Sequence, residues 1–124
     1  MVEFAADGGI MSKISVRFVL RLHDGRIDAL RDVAKKCVAA VREKDTGTLQ
    51  YDWYLSPDGK ECVVLETYES SEAFLDHMGN VGPLLGELME LGTGHLDIFG
   101  EPSHELREAV AAFEPAIHKA IDRL

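Results

Sequence analysis

A chain of 124 residues, 46% hydrophobic and 28% charged, has the composition of one globular domain able to fold around its own core, which excludes disorder along its length. Its formal charge of −9 and pI near 4.9 repel phosphate backbones and anionic lipid. No basic stripe offsets that charge and no apolar run approaches the roughly 20 residues that span a bilayer, so neither nucleic acid nor a membrane is expected as a partner.

Residues 1–11 are acidic and contain glycine, without a positive stretch ahead of an apolar core, and are expected to form a loose arm of a cytoplasmic protein. Residues 12–22 alternate Ile14, Val16, Phe18 and Leu20 against Ser15, Arg17, Val19 and Arg21, the two-residue repeat of a strand with one fully apolar face. From 26 to 43 the repeat lengthens to three and four residues through Ile27, Leu30, Val33, Ala34, Cys37, Val38 and Val41, which predicts an amphipathic helix. Its end falls between Lys44 and Gly47, where the glycine can take a left-handed turn.

Residues 48–68 hold the only Trp and all three Tyr of the chain. They read as two strands rich in β-branched and aromatic side chains, reversed at Ser56-Pro57-Asp58-Gly59-Lys60 by a proline that presets φ and a glycine that tolerates a positive one. Ser70 and Ser71 then offer a capping hydroxyl to a helix that carries Phe74, Leu75 and Met78. Gly79, Gly82 and Pro83 interrupt this stripe, so the helix is expected to break, with Pro83 opening a second piece over 84–91. Gly92-Thr93-Gly94 is read as the end of that piece and residues 95–100 as the last short strand. The tail, 103–124, is read as a helical extension capped at Ser103. It carries Leu106, Val110, Phe113, Ile117 and Ile121 at helical spacing and is split near Glu114 by Pro115. Its apolar stripe needs burial, either on its own sheet edge or on another subunit.

The order strand, helix, strand, strand, helix, strand is that of the ferredoxin-like split βαβ unit, an antiparallel four-stranded sheet with both helices on one face. A single α+β domain is expected, with its core at 12–102. Val19, Val63, Leu65, Tyr51 and Trp53 put apolar groups on more than one face of the sheet, and an open apolar face predicts a homodimer. Cys37 and Cys62 have neither close spacing nor a neighbouring His, and read as two buried thiols rather than a disulfide or zinc site.

The runs Gly47-Thr48-Leu49-Gln50-Tyr51-Asp52-Trp53, Glu66-Thr67-Tyr68, Ser71-Glu72-Ala73 with His77, and Gly100-Glu101-Pro102-Ser103 resemble the antibiotic biosynthesis monooxygenase family of dimeric α+β barrels. The resemblance spans residues 12–103. It implies a pocket between sheet and helices, and oxidation of an electron-rich quinol or phenol by molecular oxygen with no metal or flavin cofactor. The haem-degrading branch calls for an Asn on the first strand and a Trp on the second helix, and this chain has neither.

Within that frame His77, at the edge of the second helix's apolar stripe, is the candidate catalytic base for a phenolic proton; the plainer reading is a boundary His that bonds a carbonyl. Tyr51, Trp53 and Tyr68 are candidates for an aromatic wall that holds a flat substrate, or are ordinary core. Arg17 either binds a substrate oxyanion or pairs with an acid such as Asp52 or Glu66. Asn80 either aims its amide into the pocket or caps the piece that begins at Pro83. No pair of His and acidic residues has the spacing of a metal-binding helix. Two functions follow: a cofactor-free monooxygenase, or a non-catalytic module that binds a small aromatic or apolar molecule.

Overall fold

In the computed structural model, which describes residues 13–124, the chain forms β1 (Ile14–Leu22), α1 (Ile27–Lys44), β2 (Thr48–Leu55), β3 (Glu61–Tyr68), α2 (Ser71–Met89), β4 (Gly92–Phe99), α3 (His104–Val110) and β5 (Ala116–His118). The expected N-terminal arm lies outside the described residues. Strand order is β2-β3-β1-β4-β5, antiparallel except for the parallel β4–β5 edge. The first four strands and two helices are the ferredoxin-like arrangement, to which β5 adds a fifth strand and a mixed edge.

Side-chain alternation decides what each face of the sheet meets. Ile14, Val16, Phe18 and Leu20 of β1 and Cys62, Val64, Glu66 and Tyr68 of β3 turn inward and are buried. Above them α1 contributes Leu30, Val33 and Cys37, and α2 contributes Phe74, His77, Val81 and Leu88. Cys37 and Cys62 are free and buried. The hairpin turn is built as read: Ser56 Oγ donates to Asp58 at 2.7 Å, Gly59 N–H donates to the Ser56 carbonyl at 2.9 Å, and Gly59 has φ +73°.

Four local expectations are corrected. The helix α2 runs unbroken through Pro83; its buried residues lie on both sides of the proline, so packing on the sheet outweighs one missing hydrogen bond, and the i−4 residue that the ring approaches is Gly79. Gly92 and Gly94 belong to β4 rather than to a helix-ending loop, because a Cβ on Gly92 would stand 2.0 Å from the Arg21 carbonyl oxygen of the paired strand. Gly47 does not take a left-handed turn. It sits where a Cβ would stand 2.5 Å from Ala73 Cβ and so lets the α1–β2 loop close onto α2.

The fourth correction concerns the tail. It is helical only over α3 and a single 3₁₀ turn at Ala111–Phe113, with Ser103 Oγ accepting from Leu106 N–H at 3.1 Å. At Glu114 the backbone enters the left-handed region (φ 49°), and beyond Pro115 the chain extends as β5 along β4. Leu106 and Val110 are buried, as the stripe requires, whereas Ile121 is fully exposed. The helical stripe ends where proline denies its continuation, and the unpaired edge of β4 supplies backbone partners instead.

Candidate functional site

The loop that Gly47 brings against α2 places Asp45 under the helix. Asp45 Oδ2 accepts from His77 Nδ1 at 2.8 Å and from Thr48 Oγ1 at 2.6 Å, and Oδ1 accepts from Asn80 Nδ2 at 2.8 Å. The same Asn80 amide donates to the Ala40 carbonyl at 2.9 Å, which ties α2 to the end of α1. Asp45 and His77 side chains are each only 4% exposed. Burial pulls the Asp45 carboxyl upward, but the hydrogen bonds from Thr48, Asn80 and His77 overcome it and hold the group below its usual value. An ionised Asp45 is an acceptor only, so His77 carries its proton on Nδ1 and leaves Nε2 bare. Burial lowers the His77 pKa, with Asp45 opposing, so the neutral, basic imidazole is favoured at neutral pH.

His77 lines a cavity of about 60 Å³ between the sheet and α2, together with Phe18, Trp53, Leu85, Met89, Leu96 and Val110 and the polar groups Tyr51 and Glu66. Phe113, 38% exposed, also lines it, so the C-terminal segment closes one side. Tyr51 meets the His77 ring edge-on with centroids 4.9 Å apart, and Trp53 meets Tyr51 edge-on at 5.8 Å. The Trp53 indole N–H is buried with no hydrogen-bond partner of regular geometry among the described residues, although the neighbouring Tyr51 phenol is near enough for it to oppose the rise of the Tyr51 pKa. Tyr68 stacks on Phe74 at 4.6 Å and donates its hydroxyl proton to Glu66 Oε1. Burial raises both Tyr51 and Tyr68, with Cys37 and Glu66 adding to Tyr51 and Glu66 to Tyr68, so both phenols stay protonated.

His77, Tyr51 and Trp53 are thus brought together at one cavity, with Tyr68 immediately behind. Asn80 does not aim into the cavity, because its amide is occupied by Asp45 and Ala40. Arg17 is placed elsewhere: it lies on the outer face of β1, half exposed, with Asp97 3.9 Å away, while Arg21 pairs with Glu61 at 3.8 Å. Glu66 was open to Arg17 as a partner on sequence grounds, but its register opposite Val16 and Tyr51 turns it to the inner face. The two acids of the site, Asp45 and Glu66, were not recognised as such from sequence. Glu66 had a signal, a carboxylate in the inward series Cys62, Val64, Glu66, Tyr68; Asp45 had none, since it reads as a residue at a helix end. Among the described residues no group of three His, Cys, Asp or Glu is arranged to hold a metal ion, and no helix is long and apolar enough to cross a membrane.

The profile of the antibiotic biosynthesis monooxygenase family matches residues 13–82, more than half of the chain. The chain belongs to that family. Solved structures of similar fold include MupZ from Pseudomonas fluorescens, with a TM-score of 0.81 at 16% identity over 91% of this chain and 93% of that one. Coverage that large takes in part of the segment after β4. Rv0793 from Mycobacterium tuberculosis aligns at TM-score 0.66 and 25% identity over 75% of this chain and 98% of its own. PA3566 from Pseudomonas aeruginosa aligns at 0.63 and 20% over 77% and 100%. No curated protein matches the sequence. Family members share a shape more reliably than a reaction.

Proposed function

We propose that this family member is a cofactor-independent monooxygenase acting on a small phenol or quinol, with His77 as its base. The observation that carries the reading is the buried Asp45–His77 pair, which fixes the tautomer and leaves Nε2 bare on a residue that lines an aromatic-walled cavity, 3.9 Å from Glu66 Oε1. His77 Nε2 takes the phenolic proton, and Tyr51 and Trp53 hold the ring, with Tyr68 behind them. The electron-rich phenolate then reacts with molecular oxygen at a ring carbon that bears hydrogen. One oxygen atom enters the ring to give the quinone, the other leaves as water, and the substrate supplies the two hydrogens of that water. Asn80 acts through Asp45 as a positioning residue. Arg17, on the other face, has no part at the cavity.

The same reading includes a cytoplasmic homodimer. Val19, Val63 and Leu65 form an apolar strip on the outer sheet face beside Tyr54, which is 53% exposed, and a second sheet laid on it would cover the strip. Two free thiols suit a reducing compartment.

Oxygen uptake with a panel of quinols and phenols tests the activity. Consumption above autoxidation is expected, with a loss of about 10²–10⁴-fold in His77→Ala; uptake no greater than autoxidation across the panel would overturn it. The narrowness of the cavity, about 60 Å³, favours a second reading, a non-catalytic module that holds a small aromatic or apolar molecule. Saturable binding of such molecules without oxygen consumption distinguishes it.

A further inference from the structure

Glu66 is 8% exposed, in a row of inward side chains that are otherwise hydrocarbon, thiol or phenol. A carboxyl buried in this way is costly unless it carries a proton or meets hydrogen-bonding partners. Its Oε1 accepts from the Tyr68 hydroxyl and stands 3.9 Å from His77 Nε2. That separation is too long for a direct hydrogen bond, yet one oxygen atom about 2.8 Å from each would close it. Glu66 and His77 line the same apolar cavity, and so does Trp53 with its unpartnered N–H.

We propose that Glu66 is the second proton-carrying group of this site: a hydroxyl of the ligand bridges Glu66 Oε1 and His77 Nε2, and the proton that His77 takes is matched by one that Glu66 gives. This inference rests on the reading of His77 as the base. The ligand hydroxyl passes its proton to Nε2, and Asp45 holds the resulting imidazolium. Once molecular oxygen has added to the ring carbon, the Glu66 carboxyl passes its own proton to the peroxide oxygen so formed on the ligand, and that oxygen leaves as water with the hydrogen of the ring carbon. Imidazolium and carboxylate then stand opposite each other, and a proton moving from Nε2 to Oε1 through a bridging hydroxyl restores both groups.

Burial holds the Glu66 pKa up at about 7, so the proton is available near neutrality. The other titratable groups around the pair do not compete for it. Tyr51 and Tyr68 are raised, chiefly by burial; Cys37 is raised by burial; Asp45 is held low and stays ionised.

The test is a proton NMR titration of the His77 ring in the whole chain, with and without 2-naphthol as probe, in wild type, Glu66→Gln and Glu66→Asp. Coupled groups predict two inflections for His77 in the wild type and one in Glu66→Gln. Affinity for 2-naphthol should fall about tenfold in Glu66→Gln, because the amide N–H is a weaker donor to the naphthol oxygen than the carboxyl O–H it replaces. If the glutamine variant fails to fold, Glu66→Asp takes its place, with weaker naphthol binding and a displaced second inflection expected. A single inflection in the wild type, a His77 signal unmoved by 2-naphthol, or naphthol affinity unchanged by either variant would overturn the proposal. If His77→Ala abolishes oxygen uptake while Glu66→Gln leaves kcat and its pH profile unchanged, this inference fails and the oxygenase reading stands. If the coupled titration is present but no phenol consumes oxygen, the oxygenase reading fails and the proton-sharing pair stands.

Discussion

Two aspartate–histidine pairs flank the same sheet and are almost equal in length, Asp45–His77 at 2.8 Å inside and Asp97–His118 at 2.9 Å outside. Their surroundings differ. Both inner side chains are 4% exposed, whereas outside His118 is 48% exposed and Asp97 14%. Asp97 is lowered first by its hydrogen bond from His118, then by His95, whose Nε2 lies 3.3 Å away, with Arg17 at the margin. Asp45 is pulled upward first by burial and is lowered only because three hydrogen bonds outweigh that cost. The outer pair is a solvated arrangement in which Asp97 is shared by His118, His95 and the Arg17 guanidinium. The inner pair is a commitment of the fold, since either partner left alone would be a buried polar group without compensation. Equal bond lengths therefore carry unequal meaning, because water screens the outer pair and is excluded from the inner one.

The contrast breaks first at Asp45. Asp45→Ala strands the His77 Nδ1–H and removes a partner of Asn80, and should cost about 3–5 kcal/mol of stability, read as a fall in the urea midpoint; a loss below about 1 kcal/mol would put the inner pair in the same class as the outer one.

A pH series sharpens the comparison next. Glu66 is raised from 4.5 to about 7 on folding, so its contribution is complete below pH 4.5 and is lost as pH rises through 7. His77 is lowered from 6.5, so its contribution is present above that value and is lost as pH falls below it. Glu66→Gln should abolish only the first of these. The stability difference between wild type and Glu66→Gln should then shrink between pH 4.5 and 7, by an amount on the order of 3 kcal/mol, the free energy of that pKa shift. Denaturation midpoints at pH 5 and pH 8 that differ equally in both proteins would contradict it.

The smallest effect belongs outside. Asp97→Asn should change stability by no more than about 1 kcal/mol, and by less in high salt. A larger loss, independent of salt, would mean that the outer cluster is also shielded from water.

Much of the scaffold was legible because it rests on periodicity. The two-residue repeat of Ile14, Val16, Phe18 and Leu20 and the longer repeat through Leu30, Val33 and Cys37 each report a face that must be buried, and the structure buries them. The errors occur where local preference competes with packing. Pro83 argues for a break, but buried neighbours before and after it keep α2 whole; Ile117 continues a helical stripe, but the open edge of β4 recruits it as strand. For the site, His77 and the hairpin aromatics were visible as residue types on the correct faces. Asp45 was not, because its role exists only once a loop more than 30 positions upstream is folded under the helix, a sequence separation of 32 residues from His77.

By itself, then, the order of apolar and polar residues determined strands, helices and the face each must hide, since the hydrophobic effect acts on any face that repeats in register with the backbone. Which polar groups would be hidden along with them was decided only in three dimensions. Desolvation depends on everything packed around a group, and for Asp45, Glu66 and His77 that surrounding comes from α1, β2, β3 and α2 at once.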